Sequence, residues 1–253
     1  MINFCFVASG SKGNATLLSD GDTLIQIDMG VSLKTLRTGL AHFGKSVREI
    51  DALFITHGHA DHISGVPLFH GKIPIFATEG TLDETEVFEV IEPYVGVNVG
   101  NISIFPFSTS HDAPNPVGYL ISAGETKLGY VTDTGTLDDT ALSLLHDCDY
   151  YLFESNHDLE MLLKSNRPKI LKDRIRGDYG HLSNADSASF LSCLVGPKTK
   201  AIYLAHLSEE CNTPDKALST QRRILEERGV DLGRVKVVLT NQWKEVLGGD
   251  WAI

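Results

Sequence analysis

A chain of 253 residues with 42% apolar content can bury one sizeable core or two small ones. Its net charge of −11 argues against a protein wrapped in nucleic acid by a broad basic surface, while leaving room for a local basic groove. No window approaches about 18 continuous apolar residues, so no membrane-spanning helix is expected. Four cysteines without a CxxC pair exclude a disulfide framework and fit reduced thiols in a cytoplasm.

Met1–Ala8 lacks a basic leader and a cleavage pattern and reads as a first strand rather than a signal peptide. Residues 2–8, 15–19 and 23–28 read as strands by their β-branched and aromatic content, with short Gly/Asp turns between them. Ser9–Asn14 joins the first two. Its glycines allow tight or left-handed backbone, a turn whose N–H groups are also able to face an anion. Asp28 ends the third strand, and Ser32 can cap a helix to about His42, with Leu33, Leu36 and Leu40 at helical spacing. Asp51–Thr56 reads as a buried strand. A short helix over 63–69, a strand over 73–77 and a helix over 78–87 follow.

Residues 94–107 suggest two strands broken at Gly100, the second placing His111 just past its end. After Pro114 and Pro116, residues 117–121 and 127–132 look like a hairpin around Gly124 that leads into Asp133. Next come a helix over 137–146, a strand over 150–153 ending in Glu154-Ser-Asn-His157, and a helical, basic segment over 158–176. Ser183 or Asn184 caps a helix to about Leu194, and a strand over 201–205 delivers His206. A helix over 214–228 and a last strand over 235–239 complete the pattern. No repeat or long linker interrupts it. Two runs of strands, each followed by helices, predict two packed sheets with helices outside, in one compact domain covering residues 1–253.

The chemistry concentrates after the fourth strand. His57, His59, Asp61 and His62 place three imidazoles and a carboxylate within six residues. These are ligand types for first-row transition metals, and a turn at a strand end lets several converge on one point. A merely polar loop would leave Gly58, Ala60 and the strand in front unexplained. Asp28, His111, Asp133 and His206 also sit where strands end, on an edge where a sandwich can gather them. No cysteine has a ligand-like context, so the shell should be His and Asp only. His57, His59, Asp61, His62, His111, Asp133 and His206 make seven candidate ligands, which exceed the needs of one tetrahedral zinc and suit two metals sharing a carboxylate.

His57-x-His59-x-Asp61-His62, followed in order by His111, Asp133 and His206, resembles the metallo-β-lactamase superfamily over nearly the whole chain. That resemblance implies an α/β chain folded as a four-layer αββα sandwich with a two-metal site at one edge. It assigns His57, His59 and His111 to one ion and Asp61, His62 and His206 to the other. Asp133 would bridge them, and Asp28 would orient a ligand imidazole. Ser9-Gly-Ser-x-Gly-Asn14, Glu154-Ser-Asn-His157, Gly180-His-Leu-Ser-Asn184 and Ala205-His-Leu-Ser208 look like the WalJ/YycJ-type proteins, cytoplasmic relatives of the phosphodiesterase and nuclease branch.

Asp133 stands where class B1 β-lactamases place a cysteine, which argues against antibiotic hydrolysis. The 72 residues between Asp133 and His206 are too few for a large nuclease cap domain. The resemblance therefore implies a dinuclear phosphodiester hydrolase, a 5′-directed exonuclease acting on DNA rather than RNA, with a metal-bridging hydroxide as nucleophile. Asp61 would accept a proton from that water. His181 would stabilise the scissile phosphate or protonate the leaving oxygen. His157 would support the site from a neighbouring strand end, with a structural hydrogen bond to a loop as the alternative. Zn²⁺, Mn²⁺ and Fe all suit such a shell.

The alternative is a small-molecule hydrolase of cyclic phosphodiesters, thioesters or lactones, which would need a tight pocket instead of an open groove. Lys164, Arg167, Lys169, Lys172, Arg174 and Arg176 form a local basic run that ends close before His181. Arg174 and Arg176, with Ser9, Ser11 and Asn14, are the expected phosphate contacts. A solvated helix face is the competing reading for that run.

Overall fold

The computed structural model describes residues 1–83 and 87–250. In chain order it begins with β1 (Asn3–Ala8), β2 (Ala15–Ser19), β3 (Leu24–Ile27), α1 (Leu33–His42), β4 (Ala52–Phe54), α2 (Ala60–Ile63), β5 (Ile75–Ala77) and β6 (Glu89–Val90). β7 (Val97–Val99), β8 (Ile102–Ser108), β9 (Val117–Ala123), β10 (Thr126–Val131), α3 (Asp139–Leu145), β11 (Tyr150–Glu154), α4 (Leu159–Lys164) and α5 (Lys169–Ile175) follow. α6 (Asn184–Leu194), β12 (Ala201–Ala205), α7 (Pro214–Glu227), β13 (Lys236–Leu239) and β14 (Val246–Gly249) complete the order. The strands form two seven-stranded sheets, β14-β1-β2-β3-β4-β5-β6 and β13-β12-β11-β10-β9-β8-β7. Both are mixed, since parallel and antiparallel pairs occur in each.

The chain divides into two compact units. The first comprises Met1–Ser108, Ala113–Thr126 and the segment from Thr240 onward. Its β1, β2 and β3 run antiparallel, and β3, β4 and β5 then run parallel, with Ile27 opposite Phe54 and Phe54 opposite Phe76. Such strands are buried on both faces and read as apolar runs. Leu17, Leu24, Leu53 and Ile55 make a dry core with Leu36 and Leu40 of α1. Ser32 caps α1 through a hydrogen bond from the Thr35 N–H, a contact worth about 1 kcal/mol. On the other face, Phe54 stacks on Phe76 (4.6 Å) and meets the Tyr119 ring of β9 edge-on at 6.0 Å.

The second unit comprises Thr109–Asp112 and Lys127–Leu239. Its β10, β11, β12 and β13 are parallel throughout, with Val131 opposite Phe153 and Glu154 opposite Ala205. Their carboxyl ends therefore lie level along one edge, where α/β sheets bind ligands. Thr213 and Ser183 cap α7 and α6 as their side chains allow.

The basic segment over 158–176 is two helices rather than one. Pro168 lacks an N–H and starts α5 afresh, and Leu162, Leu171, Ile175 and Cys211 close a small core beneath the pair. The helix expected over 78–87 does not form at Thr78–Asp83 or at Val87 and Phe88, and residues 84–86 lie outside the described residues. Thr78 and Thr81 instead bond each other's hydroxyls in a turn. β6 and β14 are additional strands. The first has only two residues, and the second alternates too little to stand out.

Candidate active site

In the first unit, parallel pairing of β3 with β4 brings their carboxyl ends side by side. The Asp28 N–H donates to Phe54 O (2.8 Å), and Asp28 is fully buried with φ +57°. Its Oδ1 accepts from the Thr56 N–H (2.8 Å), and its Oδ2 stands 2.8 Å from His62 Nδ1. A carboxylate only accepts, so His62 carries its proton on Nδ1 and keeps the Nε2 lone pair. Thr56 Oγ1 lies 2.9 Å from Asp28 Oδ2 and 3.1 Å from His57 Nδ1, which orients a second ring in the same way.

His57 Nε2 and His59 Nδ1 then converge at 3.1 Å. Two nitrogens bound at about 2.0 Å to one tetrahedral ion stand about 3.3 Å apart, so this pair fits a metal. His59 is the N-cap of α2, whose single turn presents Asp61 and His62. His62 Nε2 lies 3.6 Å from Asp61 Oδ2.

The loop carrying these groups is stapled by main-chain bonds. Asn14 N–H donates to Asp61 O (2.8 Å), and Met29 N–H donates to His62 O (2.7 Å). The approach is so close at Gly30 that an added Cβ would lie 1.6 Å from Asp61 O. Asn14 is buried, with its amide nitrogen 3.0 Å from His62 Nε2 and 3.3 Å from Asp61 Oδ2. Ser9 is buried beside it, and Ser11 is exposed.

In the second unit, Asp133, Glu154 and His206 follow or end β10, β11 and β12 on the level carboxyl edge. Asp133 and His206 take φ +52° and +56°, the same left-handed turn that Asp28 makes after β3. Such backbone in a residue other than glycine costs about 1 kcal/mol or more and persists where the surroundings fix it, as functional sites do. His206 Nδ1 lies 3.3 Å from Asp133 Oδ1 and 3.1 Å from Glu154 Oε1. His181 Nδ1 lies 2.7 Å from the same Glu154 oxygen and 3.6 Å from Asp133 Oδ1. His111 is held by its Nδ1 against Gly180 O (3.0 Å), with Nε2 4.0 Å from Asp133 Oδ1. Burial pulls the His111 pKa down against the raising effect of Asp133, which favours the neutral imidazole a metal requires.

Glu154 is the residue that sequence reasoning passed over. It is fully buried, and its second oxygen accepts from the Thr134 and Leu182 N–H groups (3.0 and 3.2 Å). Burial raises its pKa, but the His181 charge and the hydrogen bonds from His181 and His206 outweigh that and bring it to about 2. A carboxylate at the end of a buried parallel strand, level with Asp133 and His206, was the available signal.

His157 is also buried, yet it hydrogen-bonds to none of these groups, and both its ring nitrogens lack a hydrogen-bond partner. Arg174 pairs with Asp112, next to His111, and Arg176 pairs with Asp173 within α5. Lys164 and Arg167 pair with Glu160 and Glu210, and Lys172 donates to two carbonyls. Much of the basic run is therefore already engaged locally. Cys5 and Cys148 are buried thiols with pKa values pushed up to about 12, unsuited to serve as thiolate ligands. The donor set is imidazole and carboxylate, as a hard-to-borderline divalent ion prefers.

Residues 24–206 match the Beta-lactamase superfamily domain. The chain is 31% identical to exodeoxyribonuclease YycJ of Bacillus anthracis, covering 92% of each chain. It is 33% identical to exodeoxyribonuclease WalJ of Streptococcus pneumoniae serotype 2, covering 91% of this chain and 90% of that one. Among solved structures, the metallo-β-lactamase fold protein YhfI of Bacillus subtilis superposes with a TM-score of 0.73 at 14% identity, over 98% of this chain and 99% of that one. No helix among the described residues is long and apolar enough to cross a membrane. With its two mixed sheets and its two histidine–carboxylate clusters, the chain belongs to the metallo-β-lactamase superfamily as a metal-dependent hydrolase related to the YycJ and WalJ exodeoxyribonucleases.

Proposed function

We propose that this protein is a dinuclear exonuclease that degrades DNA from a 5′ end. The observation that carries the reading is its alignment along some nine-tenths of both chains with relatives that are exodeoxyribonucleases. Two divalent ions, Zn²⁺ or Mn²⁺, are the cofactors we assign. His57, His59 and His111 would hold one, Asp61, His62 and His206 would hold the other, and Asp133 would serve both. When bound, such ions activate water and neutralise charge that develops on phosphorus.

The remaining work falls to side chains. Asp28 and Thr56 orient the His62 and His57 rings. Asp61, partly open to solvent, accepts a proton from the attacking water. His181 has its Nδ1 engaged by Glu154, so its Nε2 is the atom that delivers a proton to the leaving oxygen. His157 supports the His181 segment through its main chain, which bridges Ser183 and accepts from the Asn184 N–H (2.8 Å). Ser9, Ser11, Asn14, Arg174 and Arg176 line the path of the phosphate chain. The four thiols, three of them buried and none in a disulfide, support a cytoplasmic location.

A substrate panel tests the reading. Labelled single- and double-stranded DNA and RNA, bis-p-nitrophenyl phosphate, a cyclic nucleotide and a thioester are each offered with Zn²⁺ or Mn²⁺. Stepwise mononucleotide release from a 5′-labelled DNA strand is expected. Turnover of the thioester or cyclic nucleotide alone would replace the nuclease with a small-molecule hydrolase.

A further inference from the structure

The Ser9–Asn14 loop reaches the Asp61 main chain at one end, and at its other side it is clamped by residues 241–243. Ser9 N–H donates to Asn241 O (3.1 Å), Lys12 N–H donates to Gln242 Oε1 (3.0 Å), and Gln242 Nε2 donates to Gly13 O (2.9 Å). The clamp is tight: Gly10 has φ +151°, and a Cβ there would lie 2.4 Å from Gln242 Oε1. Immediately after Gln242 stands Trp243, 72% exposed, with Lys12 Nζ 5.0 Å from its ring centroid. The indole thus stands largely exposed on a segment tied to the Ser9–Asn14 loop by three hydrogen bonds, and the charge over its ring disfavours an apolar partner.

We infer that Trp243 and Lys12 form a stacking platform for a base of the DNA strand, set at the rim on the Asp61 side of the site. This rests on the nuclease reading and adds to it the part of the substrate recognised. An indole face accepts any base, so the contact is independent of sequence, and the Lys12 ammonium attracts the adjoining phosphate. Only a strand with an unstacked base can use it.

The chain has two tryptophans, so Trp251→Phe leaves Trp243 as the sole indole reporter. The metal-loaded variant is titrated with phosphorothioate (dT)8, which resists hydrolysis, and with a fully abasic strand of equal length. We expect (dT)8 to quench the emission and to bind about tenfold more tightly than the abasic strand, the effect of one stacked base. Read instead by the anisotropy of 3′-fluorescein-labelled strands, because these variants carry no indole, Trp243→Ala should erase that ratio and Trp243→Phe should keep most of it. Equal affinities for the two strands, or binding without quenching, would overturn the platform while leaving the nuclease intact. Binding of neither strand, with no DNA turnover by the unsubstituted protein, would overturn both.

Discussion

His181 Nδ1 lies 2.7 Å from Glu154 Oε1, and the fully buried acid is pinned by two amides through its other oxygen. The pair behaves as one device: the carboxylate holds the ring, and the ring offers Nε2. Glu154→Gln should lower kcat for DNA about 10- to 100-fold with little change in KM. Combining it with His181→Ala should cost no more than the worse single change, because both remove the same function. Fully multiplicative losses in steady-state kinetics would show that the two act separately.

Asp28 sets the tautomer of His62. Asp28→Asn replaces an acceptor-only group with an amide and should weaken metal binding about 10- to 100-fold, read by competition with a coloured chelator. An unchanged affinity would remove Asp28 from the metal's supporting shell.

Gly30→Ala should be among the most damaging single-atom-scale changes in the protein. The new methyl group would occupy the space of Asp61 O, so the loop carrying Asp61 and His62 must move. A loss of at least about 2 kcal/mol in denaturant unfolding is expected, with metal content falling in parallel. A fold as stable as the original, with full metal content, would contradict the close approach.

The buried His157 ring has no hydrogen-bond partner among the described residues, and desolvation holds its pKa down at about 4. Its folded pKa therefore lies below the ordinary value near 6.5. The unfolded chain binds the proton first as pH falls, so His157 costs no stability above pH 6.5 and destabilises progressively from there toward pH 4. His157→Gln should flatten the fall in stability between pH 7 and 4.5 by about 2 kcal/mol. Parallel curves for the two proteins would mean that the ring is not kept neutral by burial.

Arg174 and Arg176 reach phosphate only by leaving Asp112 and Asp173. If they do so, reversing both charges lowers the slope of log affinity for single-stranded DNA against log salt by at least about 1.4. An unaltered slope would reduce the run to a solvated helix face.

The histidine loop was legible because its information is local. Three histidines and an aspartate within six residues, after a strand, need no tertiary knowledge. Ser32, Ser183 and the 201–205 strand were equally plain, since caps and short apolar runs are written in neighbouring residues. Glu154 was read only as part of the Glu154–His157 stretch and not as a site residue, because its role depends on β11 lying parallel between β10 and β12. The break at Pro168 lay open in the sequence, but a basic run with helical content masked it. Trp243 was invisible for a related reason: its neighbours in space are some 230 residues away in sequence.

That separation bears on the order in which the protein assembles. The loop abutting Asp61 is closed by bonds spanning 229 and 230 residues, and β1 is paired by β14, with Ile2 N–H on Asp250 Oδ2 across 248. Contacts of such long range form late, because the entropy of closing the loop precedes any reward. The Ser9–Asn14 loop that abuts Asp61 is thus held from both sides only after the distal segment has docked. During synthesis, a chain halted before Gln242 would carry every proposed ligand and still lack the clamp behind them.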